Sequence, residues 1–485
     1  MSLRIDIDRS SKTGLRDQIH FEISRHILDG ILEPGVKLPS CRHLARELSV
    51  SLNTVLGSYN RLLEGNLIES KQRSGYFVRK DLRITPAEQP KTTYSQVNLD
   101  EHINGGDNSV KYSYIPRPAN WRDFPYPFVC GQIDVNRFPL AEWRECTRLA
   151  MNKRDLSVWS GDNFYQDSEE LLEQIKSRIL PRRGIYARPQ EILITMGAQQ
   201  ALYIAASILR GKGKVVAIED PCYPETREIL NGMYDDVRPI PVDQDGMIVD
   251  DRLKGVDLVC ITANRQFPTT ASMSSERRQA LLKMANQENF LIIEDDYESD
   301  VDYRNASPLA LQREDQSGRV IYITSLSKGL APGLRIGFMI ANEKIIDEAR
   351  ASRGLMIRNP PMILQNTAAL FLRFGHYDAL LSSLHNVFER RWNLTQSILH
   401  KEFSDFEITG AFGGTTFVLE DPQKRGISTQ IVKRSLDEGL VIEAIANCFC
   451  DRREGENYFR LGVSSVPVTK IEGGLAILRS VLNSI

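Results

Sequence analysis

The sequence lacks the features of secreted, membrane and fibrous proteins. Its seven cysteines are odd in number and scattered over 485 residues, which argues against a disulfide framework and favours a reducing compartment. The first residues hold no apolar leader, and no run of about 18 apolar residues occurs. Cys448 and Cys450 form a lone C-x-C pair, which disfavours a zinc site. The sequence predicts a cytoplasmic protein without a metal site or a membrane partner.

The charge is nearly balanced overall but unevenly distributed. With 41% hydrophobic and 26% charged residues the composition is globular, and the length suggests about three domains. Lys and Arg number 61 against 63 Asp and Glu. Residues 1–80 hold 13 basic and 9 acidic residues, whereas the rest hold 48 and 54. A basic N-terminal segment is therefore joined to an acidic body, and it is the candidate for binding a polyanion.

Residues 1–80 have the pattern of a winged helix-turn-helix domain. Isoleucines at 19, 23 and 27 mark one face of a first helix. Ser40 stands at the N-cap of a short second helix, and a third helix follows the turn at 49–51. Two short strands at 67–69 and 76–78 flank a basic turn. Helix, tight turn, helix and basic hairpin predict an α+β DNA-binding domain.

The rest of the chain predicts a linker and an α/β domain. Residues 81–112 are polar and rich in turn-forming residues, as in a linker. From residue 113 onwards, short apolar runs alternate with helical patterns, for example at 215–218, 258–261, 291–293 and 320–323. Apolar strands separated by helices predict a mostly parallel sheet that is covered on both faces.

Polar residues that follow these strands suggest a phosphorylated aldehyde as ligand. Lys328 comes just after the strand at 320–324 and would form a Schiff base, while Ser325, Ser327 and Arg335 would hold the phosphate. Ligands of open α/β sheets bind at the carboxyl ends of the strands. A solvated lysine in a surface turn is the alternative interpretation of this segment.

Three further strand ends fit the same ligand. Asp295 would pair with a protonated pyridine nitrogen, and Tyr297 would hydrogen-bond the phenolic oxygen of the ring. The turn Gly197-Ala198-Gln199 opens a helix whose amides would bind phosphate, and Tyr223 would stack on the ring. Ordinary helix caps, βα turns and a core tyrosine remain the alternatives when each motif is taken alone.

The order Gly197, Tyr223, Asp295 and Lys328 resembles fold-type-I aminotransferases over residues 113–485. The resemblance implies pyridoxal 5'-phosphate as cofactor and a smaller C-terminal α+β subdomain over about residues 380–485. It also implies that Arg460, in the stretch 458–462, binds the carboxylate of a substrate or effector.

With its N-terminal domain, the chain resembles the MocR subfamily of GntR-type transcription regulators. Segments 38–45, 50–55 and 74–78 follow the DNA-binding pattern of that family, and segments 294–297 and 327–335 follow its cofactor pattern. The resemblance implies a regulator of promoter DNA that senses a small amine or amino-acid effector through aldimine exchange at Lys328. It also implies a homodimer, domain-swapped head to tail. The residues expected to contact DNA are Arg42, Ser51, Asn53 and Thr54 near helix N-termini and Arg73 and Gly75 in the wing.

Three departures from the family pattern bear on function. Leu52 replaces an arginine that family members use near DNA, and Phe267 stands where true aminotransferases carry asparagine. Glu225 occupies the position of an effector-binding arginine, and Arg227 is out of register. A working aminotransferase with an accessory DNA-binding domain is the alternative function. A vestigial cofactor site that serves dimerisation is a third reading, which the intact Lys328 and Asp295 disfavour.

Overall fold

The chain divides into two compact units, Met1–Gly105 and Gly106–Ile485. The computed structural model describes residues 5–11, 13–72, 74–82, 114–152, 156–161, 166–304, 309–326, 328–410 and 412–485. The predicted linker at 81–112 therefore lies almost wholly outside the described residues.

The N-terminal unit has the predicted winged helix-turn-helix fold. Its elements in chain order are helices α1 (Leu15–Leu28), α2 (Cys41–Glu47) and α3 (Leu52–Glu64) and strands β1 (Ile68–Lys71) and β2 (Gly75–Val78). The strands pair antiparallel, with Lys71 opposite Gly75, so the turn is tighter than the sequence pattern predicts. Lys37 adds a bridge to Phe77 on the other side of the hairpin.

A small apolar core holds the three helices against the hairpin. Ile19, Ile23 and Ile27 are fully buried, as the fourfold spacing predicts, and they pack with Leu62 of α3. Ser40 caps α2 by accepting a hydrogen bond from His43 N at 3.2 Å. The core fixes the angle between α2 and α3, and therefore which side chains this unit presents outward.

The large unit is built on an eight-stranded mixed sheet in the order β4-β11-β10-β9-β8-β5-β6-β7. Strands β6, β5, β8, β9 and β10 are parallel neighbours, whereas β4, β7 and β11 pair antiparallel. The strands are β4 (Ile192–Thr195), β5 (Val215–Asp220), β6 (Asp236–Asp243), β7 (Gly246–Met247), β8 (Leu258–Ile261), β9 (Leu291–Asp295), β10 (Val320–Ser325) and β11 (Gly337–Ile340).

Helices pack on the sheet and cover its apolar strands. The central strands β8, β9 and β10 are buried at almost every position, which is why they read as continuous apolar runs. The helices of this unit are α4 (Leu140–Ala150), α5 (Leu156–Ser160), α6 (Glu169–Gln174), α7 (Leu180–Arg183), α8 (Ala198–Leu209), α9 (Pro224–Asn231), α10 (Ser275–Glu288), α11 (Glu343–Ile357), α12 (Met362–Arg373), α13 (His376–Glu402), α14 (Ser428–Asp437), α15 (Arg452–Gly455) and α16 (Val468–Asn483).

The C-terminal part of this unit forms a second, four-stranded antiparallel sheet in the order β12-β13-β16-β15. Its strands are β12 (Glu407–Thr409), β13 (Thr416–Glu420), β15 (Glu443–Ala444) and β16 (Tyr458–Gly462), and a separate short parallel pair joins β3 (Tyr126–Pro127) to β14 (Leu440–Val441). Helices α13 and α16 pack together beside this sheet around the buried Trp392. None of the described helices is both long and apolar enough to cross a bilayer.

Candidate functional site

A cavity of about 680 Å³ opens at the carboxyl ends of the parallel strands. That volume is within the usual range for small-molecule and cofactor sites. The predicted site residues that line it are Ala198, Gln199, Tyr223, Asp295, Tyr297, Ser325, Lys328, Arg335 and Arg460. Gly197 directly precedes the lining residue Ala198, and Ser327 lies outside the described residues. Apart from Gly197 and Ser327, the predicted residues of this site therefore lie together around one cavity.

Lys328 projects into the cavity from the loop after β10. Its Nζ lies 5.8 Å from the centre of the Tyr297 ring. Gly131, at a φ of +64°, faces the same amino group so closely that a Cβ there would collide with it. Burial lowers the pKa of Lys328, although the neighbouring Glu298 carboxylate opposes that effect. An amine with a lowered pKa is more often neutral and is therefore a better nucleophile toward a carbonyl carbon.

Asp295 ends β9 and holds a buried oxygen without a partner. Its Oδ1 has no hydrogen-bond partner among the described residues. Burial raises the pKa of Asp295 to about 7, the adjacent Asp296 adds to the effect and Lys328 opposes it. Asp296 is engaged elsewhere, because it accepts hydrogen bonds from Tyr322 Oη at 2.7 Å and Asn264 Nδ2 at 3.2 Å. Of the two neighbouring aspartates, Asp295 is therefore the one free to meet a cationic ring nitrogen.

A second group of lining residues offers donors for an anion. Gly197, at a φ of +87°, precedes the twelve-residue helix α8, whose first residues Ala198 and Gln199 line the cavity. Arg335 donates from Nη2 to Met196 O at 3.1 Å. A Cβ at Gly197 would come within 2.9 Å of that same Nη2, and the positive φ also favours glycine at this turn. Ser325 joins them at the end of β10.

An aromatic cluster also lines the cavity. The Phe267 ring is edge-on to Tyr223, with centres 5.1 Å apart, and to Tyr297, with centres 5.8 Å apart. The Arg460 guanidinium lies over the Phe267 ring, 4.7 Å from its centre. Phe267 therefore fills the place of the absent asparagine with a ring that contacts three predicted site residues, and it offers no hydrogen bond.

Arg460 is already paired within the protein. It stands directly opposite Glu443 in the β15–β16 register and donates from Nε to Glu443 Oε2 at 2.7 Å. Both side chains are buried. Glu225 also lines the cavity, and its Oε2 has no described partner. Arg227 does not enter the cavity lining but donates to the backbone oxygen of Cys448 at 3.1 Å, so it ties helix α9 to the C-terminal loop.

These residues fit pyridoxal 5'-phosphate. Asp295 has a free buried oxygen suited to the pyridine nitrogen, and Lys328 supplies an amine for the aldehyde. The start of α8, Ser325 and Arg335 would hold the phosphate.

Sequence reasoning missed several lining residues. Thr262 follows β8 and could have been found by the same strand-end rule; its Oγ1 donates to the buried Glu219 at 2.6 Å. Trp121 begins a three-residue 3-10 helix and Gly131 lies in a turn, and such short elements give no periodic signal. Trp121 is buried, and the Arg122 guanidinium lies 4.3 Å from its ring centre. Glu443 belongs to a two-residue strand, too short for a sequence pattern to mark.

In the N-terminal unit, four of the six predicted DNA-contacting residues lie at the starts of helices α2 and α3. Arg42 is exposed in the first turn of α2, and Asn53 is exposed in the first turn of α3. Ser51 caps α3, because its Oγ accepts a hydrogen bond from Thr54 N at 3.1 Å and lies 2.7 Å from Thr54 Oγ1. Leu52, in the position of the family's arginine, is 39% exposed.

The wing carries further basic residues. Gly75, at a φ of +105°, begins β2 directly after the turn of the hairpin, and Arg73 lies outside the described residues. Lys71 and Lys37 place their ammonium groups 5.0 and 5.8 Å from the centre of the Phe77 ring. Sequence reasoning did not single out these two lysines, and the arrangement around Phe77 holds both on the hairpin.

Comparison with known proteins identifies both units. Residues 15–78 match the family described as bacterial regulatory proteins, gntR family, and residues 134–476 match aminotransferase class I and II. The chain is similar to an archaeal alanine:glyoxylate aminotransferase of known structure, with a TM-score of 0.68 and 24% identity over 80% of this chain and 94% of that one. That likeness shows the fold of the large unit.

Two relatives match most of the chain. The HTH-type transcriptional regulator TauR of Rhodobacter capsulatus is 34% identical over 96% of this chain and 95% of its own length. The probable rhizopine catabolism regulatory protein MocR of Rhizobium meliloti is 26% identical over 82% of this chain and 80% of its own. The chain therefore belongs to the MocR subfamily of GntR-family transcription regulators, in which a winged helix-turn-helix domain is fused to an aminotransferase-like domain.

Proposed function

We propose that the protein is a pyridoxal 5'-phosphate-dependent transcription regulator that binds promoter DNA and senses a small amine or amino-acid effector. The observation that carries the proposal is the unpartnered buried oxygen of Asp295 in the same cavity as Lys328. A buried carboxylate oxygen without a partner is unfavourable unless a ligand completes the site. Because the same chain carries a DNA-binding domain, this site supports a role in sensing an effector.

The cofactor would supply an aldehyde that condenses with primary amines and a ring that withdraws electrons. Lys328 would hold the cofactor through its aldehyde, and its amine would remain in the cavity when an effector amine binds there. Asp295 would keep the ring nitrogen protonated, and Arg335, Ser325, Ser327 and the start of α8 would hold the phosphate. Tyr223 would stack on the ring, and Tyr297 would donate a hydrogen bond to its phenolic oxygen.

Effector binding would alter DNA binding through linkage. An effector shifts the protein between two arrangements only by its difference in affinity for them. We infer a homodimer, domain-swapped head to tail, which would present two winged helices to two half-sites. In this arrangement Arg42, Ser51, Asn53 and Thr54 approach the DNA from helix N-termini, and Arg73 and Gly75 approach it from the wing.

The cofactor assignment is tested by absorbance. The protein mixed with pyridoxal 5'-phosphate is expected to absorb in the visible, and Lys328→Ala is expected to lose that band. Lys344→Ala, an exposed lysine at the start of α11, is the matched control and is expected to keep it. A band that survives Lys328→Ala would remove Lys328 from the site.

Turnover distinguishes a sensor from an aminotransferase. The Phe267 ring removes a hydrogen bond to the cofactor oxygen, and losses of this kind reduce rates by about 10² or more. We expect amines to change the absorbance of the loaded protein and to yield at most slow half-reaction chemistry with a keto acid. Multiple turnovers at about 1 s⁻¹ or faster would place the protein among the enzymes.

A further inference from the structure

The arginine that the family resemblance assigns to an effector carboxylate already holds a carboxylate of the protein. Glu443 and Arg460 are cross-strand partners in the register of β15 and β16, so the sheet itself places them side by side. The Arg460 Nε to Glu443 Oε2 distance is 2.7 Å. The Arg460 and Glu443 side chains are 9% and 1% exposed. The Glu443–Arg460 pair is therefore a preformed and buried part of the cavity wall.

The other groups around Arg460 do not free its positive charge for an effector carboxylate. The Phe267 ring covers one face of the guanidinium. Glu225, with its unpartnered Oε2, interacts electrostatically with the same arginine. The buried Cys130 thiol also interacts with the Glu443 carboxylate. Two carboxylates thus face one guanidinium, and a third would meet like charge.

We propose that the effector reacts at the cofactor through a primary amine whose carbon carries no carboxylate, because Glu443 already occupies Arg460. This inference rests on the proposed sensing function and names the chemical class of its effector. An α-amino acid would have to place its carboxylate beside Glu443 or displace that side chain. Displacement would leave a buried glutamate without its counter-ion, which is strongly unfavourable. An effector whose amine-bearing carbon has no carboxylate brings no negative charge next to Glu443.

Isomeric amino acids test the inference without a change in composition or net charge. 3-Aminopropanoate is compared with 2-aminopropanoate, and 4-aminobutanoate with 2-aminobutanoate, by titration of the loaded protein. Binding is followed by visible absorbance and, independently, by calorimetry. The terminal-amine isomers are expected to bind at least about tenfold more tightly, equivalent to about 1.4 kcal/mol. Equal or tighter binding of the 2-amino isomers would overturn the inference.

Variants test whether the Glu443–Arg460 pair causes the preference for the terminal-amine isomers. Glu443→Gln keeps the side-chain shape and removes the charge, so the 2-amino isomers are expected to gain at least about tenfold. Adding Arg460→Gln is expected to abolish that gain. Glu407→Gln, an exposed change on β12 of the same sheet, is the control and is expected to leave the preference unchanged. An unchanged preference in Glu443→Gln would overturn the role of the pair.

Failure of the inference is distinguishable from failure of the proposed function. If neither isomer of either pair changes absorbance or heat, sensing of amines at Lys328 is refuted together with this inference. If the 2-amino isomers bind best, the sensing function stands and the inference fails. If Glu443→Gln does not fold, the isomer preference of the unmodified protein decides the inference alone.

Discussion

Replacing Asp295 by asparagine is expected to stabilise the protein without cofactor while weakening cofactor binding. Burial raises the pKa of Asp295 to about 7 from its ordinary value of 3.8, so the folded state disfavours the ionised form. Near pH 4 the carboxyl group is largely protonated in the fold and carries no such penalty. As the pH rises toward 7 the penalty grows, and above about 7 it is constant.

The size of the effect follows from that difference in pKa. A rise from 3.8 to about 7 corresponds to about 4 kcal/mol at pH 8, as an upper value. Asparagine has nearly the same shape and no charge at any pH. The apoprotein of Asp295→Asn is therefore expected to be more stable than the unmodified apoprotein at pH 8, by as much as about 4 kcal/mol, and equally stable near pH 4.

The assay is thermal and urea unfolding of both apoproteins between pH 4 and 8. Asp251→Asn, an exposed aspartate, is the control and is expected to show no such pH-dependent gain. In the presence of pyridoxal 5'-phosphate the order is expected to reverse, since the unmodified protein gains the ion pair with the ring nitrogen and the variant does not. A variant that is less stable at pH 8, or whose difference does not depend on pH, would refute the reasoning.

Three further changes, the last with a matched control, test the two units. Gly131→Ala is expected to weaken cofactor loading at least tenfold, measured by absorbance titration, because the new Cβ would collide with the Lys328 amino group. If Arg42 contacts a phosphate, Arg42→Gln is expected to weaken binding to all DNA sequences. The slope of the logarithm of the binding constant against the logarithm of the salt concentration is then expected to fall by about one. Leu62→Ala, at a fully buried position, is expected to destabilise the winged helix by about 2–5 kcal/mol in thermal unfolding, whereas Leu52→Ala is expected to change it by under about 0.5 kcal/mol.

The parts of the site that the sequence predicts follow from the sheet. Parallel strands with both faces covered are continuous apolar runs, and their ends are marked by the first polar residues. That rule brings Asp295 and Lys328 to one edge, and the structure places both in the cavity lining. The winged helix was predictable for a similar reason, since the spacing of Ile19, Ile23 and Ile27 marks a helix face that is buried.

The parts that the sequence does not predict depend on register and on long-range contacts. Two adjacent aspartates look alike in the sequence, and the hydrogen bonds from Tyr322 and Asn264 to Asp296 are what leave Asp295 free. Glu443 meets Arg460 only because two short strands pair in one register. A shift of one residue would turn the glutamate to the other face. No local pattern carries that information.

Trp121 gives the cavity an optical reporter of its own. Its indole lines the cavity wall and is buried beside Arg122, while the other three tryptophans of the chain, at 143, 159 and 392, are not among the lining residues. Indole emission extends from the near ultraviolet toward the visible band expected of the Lys328-bound cofactor, so excitation energy of Trp121 would transfer to a cofactor ring in the same cavity. Occupancy is then readable as a loss of emission, with no added dye, and Trp121→Phe separates that signal from the background of the other three.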